Sequence, residues 1–321
     1  MSKTNSNNEF KKSAKNTFTS PIMLVIGIVL ICYVVFLISL LLWGFFTSVK
    51  AGLGVPGLFN KFWGNETGLP QGAPWEWQWS NYPTVLEYIK VTRNVYVSGG
   101  VKVGTITSRF GDMFANTMFY TFGGAAVSTL VPCIVAYATT KTNFKFSKIY
   151  DAIILIVMVI PIVGAQPSQI QMLYTLGIYD TWLGYYIQIA HTISVYYLIF
   201  QAIFRSIPYT YNEAAYIEGA GEFTVMFKVV MPLAFSIIMT VFLIHFITIW
   251  NDYNTSLIYM PTHPSLAYGI FNLVILNGEN AINDIVYKTA GSFMLFSPIL
   301  ILFICFRKVL MQNLSMGGLK E

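Results

Sequence analysis

Ile22–Phe46 reads IMLVIGIVLICYVVFLISLLLWGFF, twenty-five residues without a charge. A helix needs roughly 20 mostly apolar residues to cross about 30 Å of hydrocarbon, so this run spans a bilayer with some tilt. A basic tail followed by an apolar run also describes a signal peptide. At 25 residues the run is too long for that role, and no small-residue cleavage site follows it, so an uncleaved first helix is expected.

Five further runs lie at about Phe114–Thr139, Ile149–Tyr174, Gly184–Phe204, Val229–Trp250 and Tyr287–Phe306, the third of the six carrying Pro161 and Pro167. These runs are continuous, whereas membrane strands alternate over about ten residues, so helices are expected rather than a barrel. Hydrophobic residues make up 55% of the chain and charged ones 10%, which excludes an ordinary soluble domain. The expected fold is therefore an all-α integral membrane protein with six transmembrane helices. Its parts are a tail over 1–20, a first helix over 21–47, an external loop over 48–110, a five-helix core over 111–308 and a C-terminal tail over 309–321.

Basic loops stay in the cytoplasm. Lys3, Lys11, Lys12 and Lys15 precede the first helix, Lys141, Lys145 and Lys148 follow the second, and Arg307, Lys308 and Lys320 follow the sixth. The turn near Tyr179 and the loop from Asn251 to Val286 carry no Lys or Arg. Both termini are thus expected in the cytoplasm of a multi-pass plasma-membrane protein. The net charge of +5 follows from this topology and implies no nucleic-acid partner, only membrane lipid.

Cys32, Cys133 and Cys305 are scattered through the apolar runs, without metal-ligand or disulfide spacing. No G-x-x-x-x-G-K-[ST] phosphate loop, H-E-x-x-H or G-x-S-x-G is present. The chain is therefore expected to be no enzyme, with no catalytic or metal site and no cofactor of its own.

One polar segment stands between the fourth and fifth runs: EAAYIEGAGEFTVMFKVVMP, Glu213–Pro232. Asn212 suits a helix N-cap, and Glu213 in the first turn opposes the helix dipole. Ala215 and Gly219, four apart, leave one helical face nearly smooth, and Gly219 with Gly221 permits a sharp turn. A second short helix is expected from Glu222, with Phe223 and Phe227 as an apolar stripe and Pro232 ending or kinking it. Such a unit, spanning 206–228 and tied at both ends to membrane helices, suits a groove on another protein.

Its spelling, E-A-A-x-x-x-G followed by an apolar stretch and Pro, resembles the cytoplasmic signature of ABC importer permeases of type I. The resemblance makes Glu213, Ala214, Ala215, Gly219, Ala220 and Gly221 the coupling helix that docks on an ATPase. Glu218 stands where sugar-importer members usually have Asp, and Phe235 where a second Pro is often seen. Asn116-Thr117, Ala136-Tyr137-Ala138, Trp250-Asn251-Asp252 and Gly317-Gly318-Leu319-Lys320 are similar to motifs of the shorter permease subunit of maltose-type carbohydrate importers. The resemblance implies a second permease subunit, two ATPase copies holding ATP and magnesium, an external sugar-binding protein, and alternating access. It also implies that the 317–320 tail reaches the ATPases and that an external loop in 251–284, with MPTHPSLAYG and NGEN, probes the binding protein.

Ionisable groups inside spans are functional candidates. His245, Thr248 and Asp252 fall at i, i+3, i+7 on one helix face, and His191, Ser194 and Gln201 cluster similarly. These faces suit either a polar cavity for sugar hydroxyls or hydrogen bonds between helices. The external PWEWQWSNYP, Pro74–Pro83, suits either an aromatic sugar platform or an interfacial belt. A permease for another solute shares the coupling helix; an ion-coupled secondary transporter would show paired inverted repeats with broken helices, which are not evident here.

Overall fold

The computed structural model describes residues 21–50, 77–97, 101–142, 144–160, 164–275 and 285–316. The N-terminal tail, Pro74–Glu76, the Ser98-Gly99-Gly100 turn, Pro161, NGEN and the 317–320 tail lie outside them. The chain forms two compact units. One holds α1 (Pro21–Ser48), the segment to Pro83 and the first turns of the last helix; the other holds everything from Thr84 to Ile275 and the rest of that helix.

In the first unit, α1 buries only Gly44, Thr47 and Ser48, leaving its apolar surface for lipid or another subunit. Asn81 Nδ2 donates to the Ser48 and Lys50 carbonyls at 3.0 and 2.8 Å, stitching the helix end to the segment from Trp77. Trp77 and Trp79 meet edge to face at 5.6 Å and both lie against Phe45, so they form a clustered corner rather than a flat platform.

The second unit departs from the all-helical expectation. After α2 (Asn81–Tyr88), β1 (Lys90–Val97) pairs antiparallel with β2 (Val101–Arg109), Lys90 opposite Arg109 and Thr92 opposite Thr107. β1 contains Val91, Thr92, Val95 and Val97 and β2 contains Val101, Thr105, Ile106 and Thr107, and such β-branched residues favour strands. The hairpin leads into α3 (Phe110–Met118), a π-helical turn over Phe119–Gly123 and α4 (Gly124–Lys141), together one apolar span. That turn has a partner: Tyr186 and Tyr185 donate to the Phe119 and Tyr120 carbonyls at 3.0 and 3.1 Å. A Cβ on Gly123 or Gly124 would strike those hydroxyls.

The third and fourth expected helices are broken. The third becomes α5 (Ser147–Val159) and α6 (Gln166–Thr175), because Ile160 precedes Pro161 and adopts φ −75°, ψ 117° instead of helix. The fourth becomes α7 (Trp182–Ile189) and α8 (Val195–Ser206), parted by the polar stretch 190–194. The fifth is bent: α9 (Thr210–Ile217), α10 (Glu222–Val225), a π turn over Met226–Val230 and α11 (Met231–Leu233) lead into α12 (Phe235–Trp250), with 80° between the two halves at Ala234. The backbone leaves the helix at Ala234, with φ −94° and ψ 3°, two residues after Pro232. Short α13 (Asn254–Ile258) and α14 (Leu266–Val274) precede the long α15 (Ile285–Met316). Among the described residues three helices are long and apolar enough to span, Pro21–Ser48, Phe110–Lys141 and Ile285–Arg307, and the bent pair adds a fourth.

The core of this unit joins α4, α5, α8 and α12 through Cys133, Tyr137, Ile154, Tyr197, Phe200, Phe204 and Val241. Val225, Met226 and Val230 belong to the same cluster, so the segment after α9 is packed onto the helices rather than hanging from them.

Candidate functional site

The α9 segment ends in a Schellman motif. Gly219 sits at φ +84°, the Ala220 amide donates to the Ala215 carbonyl at 2.9 Å, and the Gly219 amide to the Tyr216 carbonyl at 3.0 Å. The spelling thereby acquires a cause. Only glycine adopts that φ without strain, and Ala215 and Ala220, which bracket the motif, both pack on the core. Ala215 and Ala220 therefore turn inward, while Gly219 itself is exposed, with open space where a Cβ would stand. The exposed side carries Glu213, Ala214, Ile217, Glu218 and then Phe223 and Phe227, of which Ile217 is 87% and Phe223 78% exposed. Gly221, extended, starts α10, and Tyr216 Oη donates to Glu222 Oε2 at 2.8 Å, locking the two short helices together. Burial and this carboxylate raise the Tyr216 phenol above its usual value.

Asn212 is not the N-cap: the helix starts at Thr210, with Tyr209 before it, because the Glu213 and Asn212 amides already donate to the Tyr209 carbonyl. Asn212 is instead fully buried, and neither end of its amide has a hydrogen-bond partner among the described residues. At the root of the loop, Lys141 donates to the Ile207 carbonyl, capping the C-terminus of α8.

Behind the loop lies a polar clasp that the sequence reading passed over. Asp151 of α5 accepts from Tyr197 Oη and Gln201 Nε2, both at 2.6 Å, and from Arg205 Nη2 at 3.1 Å. Tyr197 Oη also meets Thr139 Oγ1 at 2.8 Å, bringing α4 into the clasp. Gln201 thus serves Asp151 and does not face His191. The available signal was Asp151 itself, an acid three residues inside an apolar run.

Of the substrate-pathway candidates, the structure brings His245 beside His191, with Ser194 three residues further along the same break. His191 and Ser194 lie in the 190–194 break rather than in a helix. His245 of α12 packs its ring 4.5 Å from that of Tyr196, with His191 as its electrostatic neighbour. His245 Nε2 and Ser194 Oγ are both buried without a hydrogen-bond partner among the described residues. Tyr150 donates to Thr192 in the same break, tying it to α5. Thr248 bonds back to the Ile244 carbonyl at 2.9 Å. Asp252 leaves the shared face because α12 ends at Trp250; its carboxylate accepts the Asn254 amide at 2.8 Å and caps α13.

Motifs at the opposite end bind one another. Asn116 Nδ2 donates to the Pro264 carbonyl at 3.1 Å, and Thr117 Oγ1 accepts the Leu266 amide at 2.8 Å, so this pair holds the 260–265 loop and the start of α14. His263 of that loop lies 3.4 Å from Asp180, and Trp250 Nε1 donates to the Leu295 carbonyl at 2.9 Å.

Residues 128–315 match the family model of the binding-protein-dependent transport system inner membrane component. The chain belongs to that family. This permease is 27% identical over 212 residues to the melibiose/raffinose/stachyose import permease MelC of Bacillus subtilis, covering 65% of this chain and 76% of the relative. It is 26% identical over 213 residues to the maltodextrin permease MalD of Streptococcus pneumoniae, covering 65% and 75%. It is 24% identical over 218 residues to the trehalose permease SugB of Mycobacterium tuberculosis, covering 65% and 78%. Its fold is similar to that of a bacterial ABC transporter involved in the import of the acidic polysaccharide alginate, with a TM-score of 0.67 and 22% identity over 91% of this chain and 98% of that one. The permease is a multi-pass protein of the cytoplasmic membrane.

Proposed function

We propose that this permease is one of two membrane subunits of an ATP-driven importer for a sugar or oligosaccharide. The observation that carries the reading is the α9 unit: an exposed apolar side, presented by a Schellman turn whose inner side is packed into the helical core. The sugar permeases among its relatives supply the solute class. Six membrane segments, some broken, cross with both termini in the cytoplasm, placing α9 and α10 beside the ATPases. Glu213 to Gly221 form the joint there. Two ATPase copies bind ATP and magnesium and close together; the joint moves with them, and the core turns from inward-facing to outward-facing. An external binding protein delivers the sugar.

Within the membrane, His191, Ser194 and His245 line the sugar path. A buried polar atom left without a partner costs about 1–3 kcal/mol, and a passing hydroxyl relieves it. Thr248 and Asp252 border that path. The test is co-purification with the partner ATPase and binding-protein-stimulated ATP hydrolysis in liposomes, for wild type and for Glu213→Ala and Gly219→Leu. Loss of coupling in both variants, with the permease still folded, supports the reading. Transport without ATP, and no ATPase captured by wild type, overturns it in favour of an ion-coupled transporter.

A further inference from the structure

The β1–β2 hairpin has two unlike faces. Val91 and Ser108 are buried, and Arg93 of the same face donates to Tyr268 Oη with its guanidinium 4.8 Å from that ring, so one side is clamped to α14. Gly269 permits the approach, since a Cβ there would lie 2.6 Å from Met113 Sδ and 3.0 Å from Ile89. The opposite face is uncovered: the cross-strand pairs Lys90 with Arg109, Thr92 with Thr107 and Asn94 with Thr105 are all exposed.

Two properties of that outer face call for a partner. Like charges directly opposite on a ladder are destabilising, and neither Lys90 nor Arg109 has an ion pair among the described residues. The segment from Lys90 to Arg109 contains four basic residues and no acid. A two-stranded ribbon of polar pairs is also marginal by itself and gains from a surface laid against it. Thr92 and Thr107 bond one another at 3.1 Å, and the backbone edges of the ribbon are hydrogen-bonding groups suited to a protein surface.

We infer that this outer face is a docking surface for an acidic patch on the external binding protein. The inference rests on the importer reading above, which places the hairpin outside the membrane; binding-protein dependence is the printed character of the family. Opposite potentials across such a contact speed encounter and fix register, and salt weakens them.

The experiment titrates the purified cognate binding protein against the full transporter in nanodiscs and reads ATP hydrolysis, at low and high salt. Lys90→Glu with Arg109→Glu is expected to raise the half-stimulating concentration about tenfold or more. The neutral pair Lys90→Gln with Arg109→Gln raises it less. Hydrolysis without binding protein and the saturated rate stay at wild-type values, and the salt dependence of stimulation flattens. Unchanged half-stimulation and unchanged salt dependence overturn the proposal. So does a lowered saturated rate at unchanged half-stimulation, which places the hairpin in coupling. Weakened uptake of an acidic oligosaccharide at unchanged binding-protein affinity also overturns it, in favour of direct sugar contact. If wild type shows no stimulation by any binding protein, the importer reading itself falls, and this inference with it.

Discussion

Asp151→Ala opens the clasp behind the α9–α10 segment. The carboxylate holds two donors on buried side chains, Tyr197 at 0% and Gln201 at 6% exposure, each at 2.6 Å. A hydrogen bond to a charged group contributes about 1.5–3 kcal/mol, and a buried donor left alone carries its own desolvation penalty. Arg205 is 61% exposed, so its ion pair adds at most about 1 kcal/mol. Tyr197 keeps Thr139 as a partner, and Gln201 keeps Tyr197 at 3.2 Å, which offsets part of the loss. The balance is about 3 kcal/mol of destabilisation, near the upper end of ordinary point-mutation effects. Asp151→Asn retains one acceptor and is expected to lose about half as much. SDS-titration unfolding of the purified permease in mixed micelles reads both values. A double-mutant cycle with Gln201→Leu is expected to return a coupling of about 1–2 kcal/mol. A loss below about 1 kcal/mol for Asp151→Ala, or additive behaviour in the cycle, refutes the clasp.

Gly219→Asn is expected to preserve ATPase capture and Gly219→Val to abolish it. No atom lies within 4 Å of a Cβ at Gly219, so only the backbone conformation, at about 1–2 kcal/mol for a residue that resists it, decides the outcome. Phe223→Ala removes a ring that is exposed in the free permease, so unfolding in SDS is unchanged while affinity for the ATPase falls by about 2 kcal/mol, near thirtyfold; equal capture of the ATPase at limiting concentration refutes the exposed-face assignment. His245→Phe removes an unpartnered buried nitrogen, so stability is unchanged or rises by about 1 kcal/mol, while uptake of radiolabelled sugar falls. Undiminished uptake removes His245 from the sugar path.

Apolar run length alone located α1, the Phe110–Lys141 span and α15, because a bilayer demands length before anything else. The same measure runs straight through Ile160 and through 190–194, because hydropathy averages over a window and a break needs only a few residues. Ile160 was readable from Pro161 after it; the second break contains no Pro or Gly and is tied by the hydrogen bond from Tyr150 to Thr192. The hairpin was written in β-branched residues, yet it sits inside a loop that topology alone treats as featureless. The α9–α10 segment was legible as a helix, turn and helix, while the facing of its small residues was not: spacing puts Ala215 and Gly219 on one side, yet Ala215 packs on the core and Gly219 is exposed. His191 and His245 do come together, but His191 and Ser194 lie in a break, so the helical spacing that nominated those two was the wrong reason. Asp252 failed by a boundary of two residues.

The 80° bend at Ala234 makes the fifth segment a crank. Its short arm, Glu222–Leu233, carries the exposed Phe223 and Phe227; its long arm, the 16 residues of α12, is about 24 Å long at about 1.5 Å per residue. A turn of about 10° at the elbow carries the Trp250 end about 4 Å, on the geometry of a rigid helix of that length. His245 stands about as far along the long arm as Phe223 does along the short one, so a push on Phe223 is delivered at about the same size beside His191. Spin labels on Phe227 and on Thr248 would read the two arms as one rotating body.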